Sequence, residues 1–234
     1  FDTPEVIRSA AVEAIRSGKT HYTHAMGMIE LREEICSYYK NEYGVAIGPD
    51  QVLVTSGTSP GMLLMMLAIL DPDDEVIVSN PRYACYSNFI QAVGGKMTEV
   101  QTDPADGFQY RVEAIRAAVN PRTRGILINS PSNPTGIVMG EKNLAEIAQF
   151  GGQYVLSDEI YHGLVYEGRA RSILEFTDRA FVINGFSKLY AMTGWRLGYL
   201  IFPREFSSVM ERMHQSFMIS ANNFVQYAGI AALR

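Results

Sequence analysis

Four loops hold the residues whose types and spacing could do chemistry. In Gly185-Phe186-Ser187-Lys188 a lysine sits among Phe, Leu, Tyr, Met and Trp. Most lysines are solvated, but burial among such neighbours lowers the pKa and frees a neutral amine to act as a nucleophile. Ser157-Asp158-Glu159-Ile160-Tyr161 offers adjacent carboxylates and, three residues after Asp158, a phenol. The two carboxylates need not both be functional. Asn129-Ser130-Pro131-Ser132-Asn133-Pro134-Thr135-Gly136 satisfies the turn rules without any ligand, and its functional reading is an Asn133 amide poised to donate a hydrogen bond. Thr55-Ser56-Gly57-Thr58-Ser59-Pro60-Gly61 reads as a glycine turn feeding a helix, with Ser59 as N-cap and Pro60 at the first helical position. Such a turn presents unpaired amides at the positive end of the helix dipole and suits a phosphate, although a well-capped turn with no ligand has the same sequence. No lysine follows, so it is not a nucleotide P-loop.

Elements that position these loops can be read from periodicity. Short β-rich runs recur at Gln51–Val54, Glu75–Val78, Met97–Gln101, Gly125–Asn129, Tyr154–Ser157 and Ala180–Asn184, each apolar on both faces. Helix-period segments lie between them near 61–70, 86–93, 111–119 and 141–149. Two helices precede them. The first starts at Thr3-Pro4, sets Val6, Ile7, Ala10, Ala14 and Ile15 on one face and stops at Gly18; the second runs over roughly 28–40. This alternation predicts an α/β fold, a mostly parallel sheet sandwiched by helices. On such sheets ligands bind outside the carboxyl ends of the strands, and that is where the four loops fall.

Composition excludes other classes. Lys and Arg number 20 against 25 Asp and Glu, a net charge of −5, and no basic run is interleaved with aromatics, which argues against nucleic acid. The longest apolar run, Met62–Leu70, is about half of the ~20 residues that span a bilayer, and no signal-peptide pattern opens the chain. Cys36 and Cys85 are too few for a disulfide framework and read as packing residues in a reducing compartment. His21 and His24 lack the carboxylate or Cys companions of a metal site, and none is expected. Met62–Met66 reads as helix core. A soluble cytoplasmic protein is expected.

Taken in order, Ser56-Gly57-Thr58, Asn133-Pro134-Thr135-Gly136, Ser157-Asp158-Glu159-Ile160-Tyr161, Ser187-Lys188 and Met192-Thr193-Gly194-Trp195-Arg196-Leu197-Gly198 resemble the class I/II aminotransferases. These are pyridoxal phosphate enzymes of fold type I, and the resemblance covers almost the whole chain. It implies that Lys188 holds the cofactor as a Schiff base and that Asp158 pairs with the pyridine nitrogen. Asn133 and Tyr161 would hydrogen-bond the phenolic oxygen, and Tyr83 would stack on the ring. Gly57, Thr58, Ser59 and Arg196 would hold the phosphate, and Tyr22 would reach the phosphate of the neighbouring subunit in a homodimer. Lys188, Asp158 and Tyr161 are the catalytic residues on this reading. Amino acid and 2-oxo acid would exchange an amino group by a ping-pong route. A lyase or synthase using the same cofactor, or an inactive binding module, are the alternatives. A nucleotide-binding α/β protein is disfavoured because Gly-x-Gly-x-x-Gly is absent after a strand.

Three departures from the family pattern stand out. Gly185 occupies a position where many relatives carry Ser or Thr, so a phosphate contact is missing or moved to Ser187. The connection through Gly151-Gly152 is a few residues shorter than relatives use. The resemblance assigns residues 1–19 to an N-terminal segment of a small domain or arm and residues 20–234 to the cofactor-binding large domain. Relatives continue into a smaller C-terminal domain, so a fragment is expected. No basic residue lies in the 61–70 helix, which gives no support for a dicarboxylate substrate.

Overall fold

Aliphatic and β-branched runs become strands where both faces can be covered, and the longer apolar segments between them close into helices. The computed structural model describes all 234 residues, Phe1–Arg234. The strands are β1 (Val52–Thr55), β2 (Glu75–Asn80), β3 (Lys96–Gln101), β4 (Thr123–Asn129), β5 (Tyr154–Asp158), β6 (Ala180–Gly185) and β7 (Gly198–Ile201). They form one sheet in the order β1-β7-β6-β5-β4-β2-β3. β1 and β7 are antiparallel, whereas β2–β3, β2–β4 and β4–β5 are parallel, so the sheet is mostly parallel as expected. The chain divides into two compact units, Phe1–Leu64 with Ile183–Arg234, and Met65–Val182, with the division falling inside β6.

The first unit holds α1 (Glu5–Arg16), α2 (Ile29–Tyr43), β1, the start of α3 (Thr58–Ile69), β7, α7 (Ser207–Phe217) and α8 (Asn223–Leu233). α1 buries Ile7, Ala11 and Ala14, a stripe at helical spacing, while Val6 and Ile15 are 63% and 49% exposed. The expected apolar face is therefore rotated by about a residue. Gly18 at φ +73° follows the last turn, in the left-handed region that glycine occupies without strain. β1 and β7 pair from Val52 with Ile201 to Thr55 with Gly198, which sets the two chain turns of this unit side by side. α3 starts at Thr58, so Ser59 and Pro60 lie within its first turn instead of capping it. Neither β7 nor α7 was anticipated from periodicity.

The second unit holds β2 to β5, most of α3, α4 (Tyr86–Ala92), α5 (Val112–Ala118) and α6 (Glu141–Ile147). β2 runs in register with β3 from Glu75–Lys96 to Asn80–Gln101, and β4 with β5 from Gly125–Tyr154 to Asn129–Asp158. One expectation fails here: β3 is not apolar on both faces, and only Val100 of it is buried. It is the edge strand, where Lys96, Glu99 and Gln101 face water and discourage further pairing. No helix is long and apolar enough to cross a membrane.

Candidate active site

β1 delivers the chain into the turn at Thr55, whose hydroxyl donates to the Gly57 carbonyl at 2.6 Å. Gly57 has φ +85°, and a side chain there would run into the Arg196 guanidinium. Glycine thus lets the guanidinium lie against the backbone one residue before α3. Arg196 is itself left-handed at φ +54° and exposed, and its Nη1 donates to the Thr193 carbonyl at 3.1 Å. A cation and the positive end of a helix dipole are therefore brought to the same turn. That pairing repels unless an anion lies between, and a phosphate fits it.

Gly198 is needed for the same reason. A Cβ built on it would lie 2.8 Å from the Gly57 carbonyl carbon and 2.9 Å from the Thr58 nitrogen. Gly185 is equally tight, with the Gly198 Cα at 2.8 Å and the Leu197 oxygen at 3.0 Å from its Cβ position. The hydroxyl that many relatives place at 185 has no room here, and Ser187, two residues on, is half-buried. Because the obstacle is backbone, Gly198→Ala is expected to destabilise the chain by about 1–3 kcal/mol or more. Thermal unfolding checks this, and a transition superimposed on the parent's would contradict the close approach.

Lys188 follows β6, and its loop is pinned at Thr3, whose hydroxyl donates to the Ala191 carbonyl at 2.7 Å and accepts from Trp195 Nε1 at 3.0 Å. The expected burial of Lys188 is not found; the residue is exposed. Its apolar neighbours point the other way. Phe186 and Met192 are fully buried, and the Phe186 ring packs on Tyr190 and Tyr199 at 5.5 and 6.0 Å.

In the second unit, the end of β5 presents Asp158, half-buried, against Asn129 of β4. Asn129 Nδ2 donates to the Asp158 carbonyl at 2.8 Å, and Asn129 Oδ1 accepts from the Asn133 amide at 2.6 Å. That couples the two loops. Asn133 Nδ2 then donates to the Tyr161 hydroxyl at 3.3 Å, so two residues paired by the resemblance stand together. The Asp158 carboxylate accepts from the Ile160 amide at 3.2 Å and from the Tyr86 hydroxyl at 2.8 Å. Burial raises the Asp158 pKa, and these two hydrogen bonds pull it back. Burial and the Asp158 charge hold the Tyr86 phenol protonated, hence a donor. A carboxylate presented in this way suits a protonated ring nitrogen.

Sequence reasoning missed Tyr86 and Asn129. Tyr86 lies three residues after Tyr83, whose ring meets it edge-on at 5.4 Å, and that spacing was the available signal. Tyr83 is 39% exposed. It also left Glu159 without a role. This carboxyl is 1% exposed and accepts from Ser157 Oγ, Ser172 Oγ and the Ile173 amide at 3.0, 3.1 and 3.0 Å. Burial pushes its pKa up to about 7, with the hydrogen bonds working against the rise. An unfolded chain loses this proton near 4.5, so between about 4.5 and 7 the folded state binds more protons and stability falls as pH rises. Relative to Glu159→Gln, the parent is expected to lose on the order of 3 kcal/mol across that window. Parallel curves of unfolding free energy against pH for the two proteins would refute this.

Tyr22 stands on a segment that α8 holds in place. Asn223 Nδ2 donates to the His21 carbonyl at 3.2 Å, and the fully buried Gln226 donates to Thr23 Oγ1 at 3.1 Å and accepts from the Met28 amide at 2.7 Å. The Tyr22 residue is 79% exposed. His24 meets Glu211 at 3.3 Å, a carboxylate partner that sequence spacing did not reveal. Cys36 and Cys85 are free thiols, half-buried.

The whole chain, residues 1–234, matches the family model described as aminotransferase class I and II. It is 43% identical over 235 residues to the (5-formylfuran-3-yl)methyl phosphate transaminase of Methanocaldococcus jannaschii, covering 99% of this chain and 61% of that protein. It is 39% identical to a probable aspartate aminotransferase of the same organism, covering 100% of this chain and 64% of that one. Among solved structures, aspartate aminotransferase from Thermus thermophilus with maleate superposes with a TM-score of 0.97 at 38% identity, covering 100% of this chain and 62% of that one. The chain thus spans somewhat under two thirds of the length of the relatives it matches. On the family model and these identities, the chain belongs to the class I and II aminotransferases.

Proposed function

We propose that the chain binds pyridoxal phosphate, on which this family depends, and serves an enzyme that moves an amino group from an amino acid to a 2-oxo acid. One observation carries the reading: the Arg196 guanidinium lies directly against Gly57, which is left-handed at φ +85°, at the N-terminus of α3, a cradle with the charge to hold a phosphate.

Gly57, Thr58, Ser59 and Arg196 would hold that phosphate, with Ser187 a further donor. Asp158, kept in place by Tyr86, would hold a proton on the ring nitrogen. Asn133 and Tyr161 would donate to the phenolic oxygen, and Tyr83 would lie on the ring face. When bound, pyridoxal phosphate supplies an electron sink for the pair left as the substrate's α-carbon loses its proton. Lys188 would anchor the cofactor through its amine and, once displaced by substrate, take and return that proton.

Tyr22 is assigned to the phosphate of a second copy, which makes the functional unit a C2 dimer with shared sites. Its exposure on an anchored segment supports this. Mixing Tyr22→Phe subunits with Lys188→Ala subunits tests it: shared sites leave one intact site in each mixed dimer. No recovered activity would count against sharing. Residues 1–19 are assigned to an N-terminal segment of a small domain or arm and residues 20–234 to the cofactor-binding large domain. Free thiols at Cys36 and Cys85 agree with a reducing, cytoplasmic setting.

The deciding experiment loads the full-length protein with pyridoxal phosphate and supplies a panel of amino acids with no acceptor. Stoichiometric release of the matching 2-oxo acid is expected, the mark of a ping-pong transfer. Release of a decarboxylated amine or of a side-chain fragment would identify a lyase instead.

A further inference from the structure

We infer that Glu159 is a positioning residue, a buried clamp that fixes the turn from which Asp158 and Tyr161 project. Adjacent residues at a strand end point to opposite sides. Asp158 turns to the buried Tyr86 hydroxyl, whereas Glu159 turns to the other side, which it shares with Ser157. One Glu159 oxygen gathers Ser157 Oγ, Ser172 Oγ and the Ile173 amide, and so ties β5 to the turn Ile173–Glu175, fourteen residues downstream of Glu159 at its first residue. The other oxygen faces His162 Nδ1 at 3.5 Å, and both side chains are 1% exposed. His162 follows Tyr161 directly, and its amide donates to the Glu159 carbonyl at 2.9 Å. The turn is therefore anchored at its start by the Glu159 side chain and closed by the His162 amide on the Glu159 carbonyl.

The task requires an acceptor oxygen at this place. All three groups donate to one carboxyl oxygen, a role an amide oxygen can also fill and a methyl group cannot. What the clamp protects is the aim of the Asp158 carboxylate, which also accepts from the Ile160 amide in the same turn. A misplacement of about 1 Å at such a group costs rate out of proportion to its effect on stability. The role of Asp158 and Tyr161 toward the cofactor rests on the function proposed above; the clamp itself does not.

The test compares parent, Glu159→Ala and Glu159→Gln by amide hydrogen exchange of the cofactor-free chain. In Glu159→Ala the amides of Ile160, His162 and Ile173 are expected to exchange at least about tenfold faster, with Ile77 and Val78 of β2 within about twofold. Glu159→Gln, which keeps an acceptor oxygen, is expected to restore them to within about threefold. A second arm titrates each protein with pyridoxal phosphate and follows the bound absorption against pH. Glu159→Ala is expected to bind about tenfold more weakly and to shift the pH of the spectral change, with Glu159→Gln close to parent.

Parent-like exchange in Glu159→Ala, an increase spread evenly over the chain, or no rescue by glutamine would overturn the proposal. If the parent binds no pyridoxal phosphate, the functional reading fails while the exchange arm still decides the clamp. Should Glu159→Ala not fold, Ser172→Ala removes one donor and is expected to speed Ile160 exchange about threefold, again locally; no local change would count against the clamp.

Discussion

Lys188→Ala is expected to lower amino-group transfer by at least about a thousandfold, because one side chain is lost both as anchor and as proton carrier. Borohydride treatment of the parent with bound pyridoxal phosphate should leave a stable label on the Lys188 peptide and nowhere else. Two other lysines are already engaged at the surface: Lys96 Nζ meets Asp73 at 2.7 Å and Lys142 Nζ meets Glu146 at 3.8 Å. Lys188 stands exposed at the end of β6, in a loop tied to Thr3, in the same unit as Arg196 and Gly57. Label recovered on Lys96 or Lys142, or parent-like turnover in Lys188→Ala, would remove the residue from the mechanism.

Asp158→Asn is expected to keep the cofactor and lose most turnover, with a barrier higher by about 3 kcal/mol or more. The exchange is nearly isosteric, and Tyr86 can still donate to the amide oxygen, so the fold should survive. What disappears is the negative charge that holds a ring nitrogen protonated. Tyr86→Phe is the milder partner of this change. It leaves the charge but removes a 2.8 Å hydrogen bond to it, so Asp158 becomes harder to ionise and the loss should be about tenfold. Single-turnover rates beside cofactor titrations separate the two effects. Equal turnover in parent and Asp158→Asn would mean that the carboxylate does not act on the ring.

Much of the molecule was legible from local chemistry. Strands β1, β2, β4, β5 and β6 appear within a few residues of their apolar runs because both their faces are covered, and a strand covered on both faces must be apolar throughout. The loops bearing Gly57, Asn133, Asp158 and Lys188 were identifiable because turn residues and chemically able side chains coincide there. β3 was misread as apolar on both faces although Lys96, Glu99 and Gln101 are the polar residues an edge strand carries, and only its place at the sheet edge gives them their meaning. The α1 face was misjudged because Val6 and Ile15 are as apolar as Ile7, and only the packing against α8 selects among them.

The site shows the same division. Residue types and order sufficed to nominate Lys188, Asp158 and Arg196, since chain-local motifs carry them. Tertiary structure alone decided that Tyr86 reaches Asp158 across 72 positions, that Gly185 and Gly198 are glycine because backbones touch, and that Lys188 lies exposed while Phe186 turns inward. It also separated the adjacent carboxylates, sending Asp158 toward the presented end of β5 and Glu159 into the interior. Two neighbours of the same chemistry differ only in which side of a strand end they face, and that side acquires meaning only when Ser172 and Ile173 pack against it.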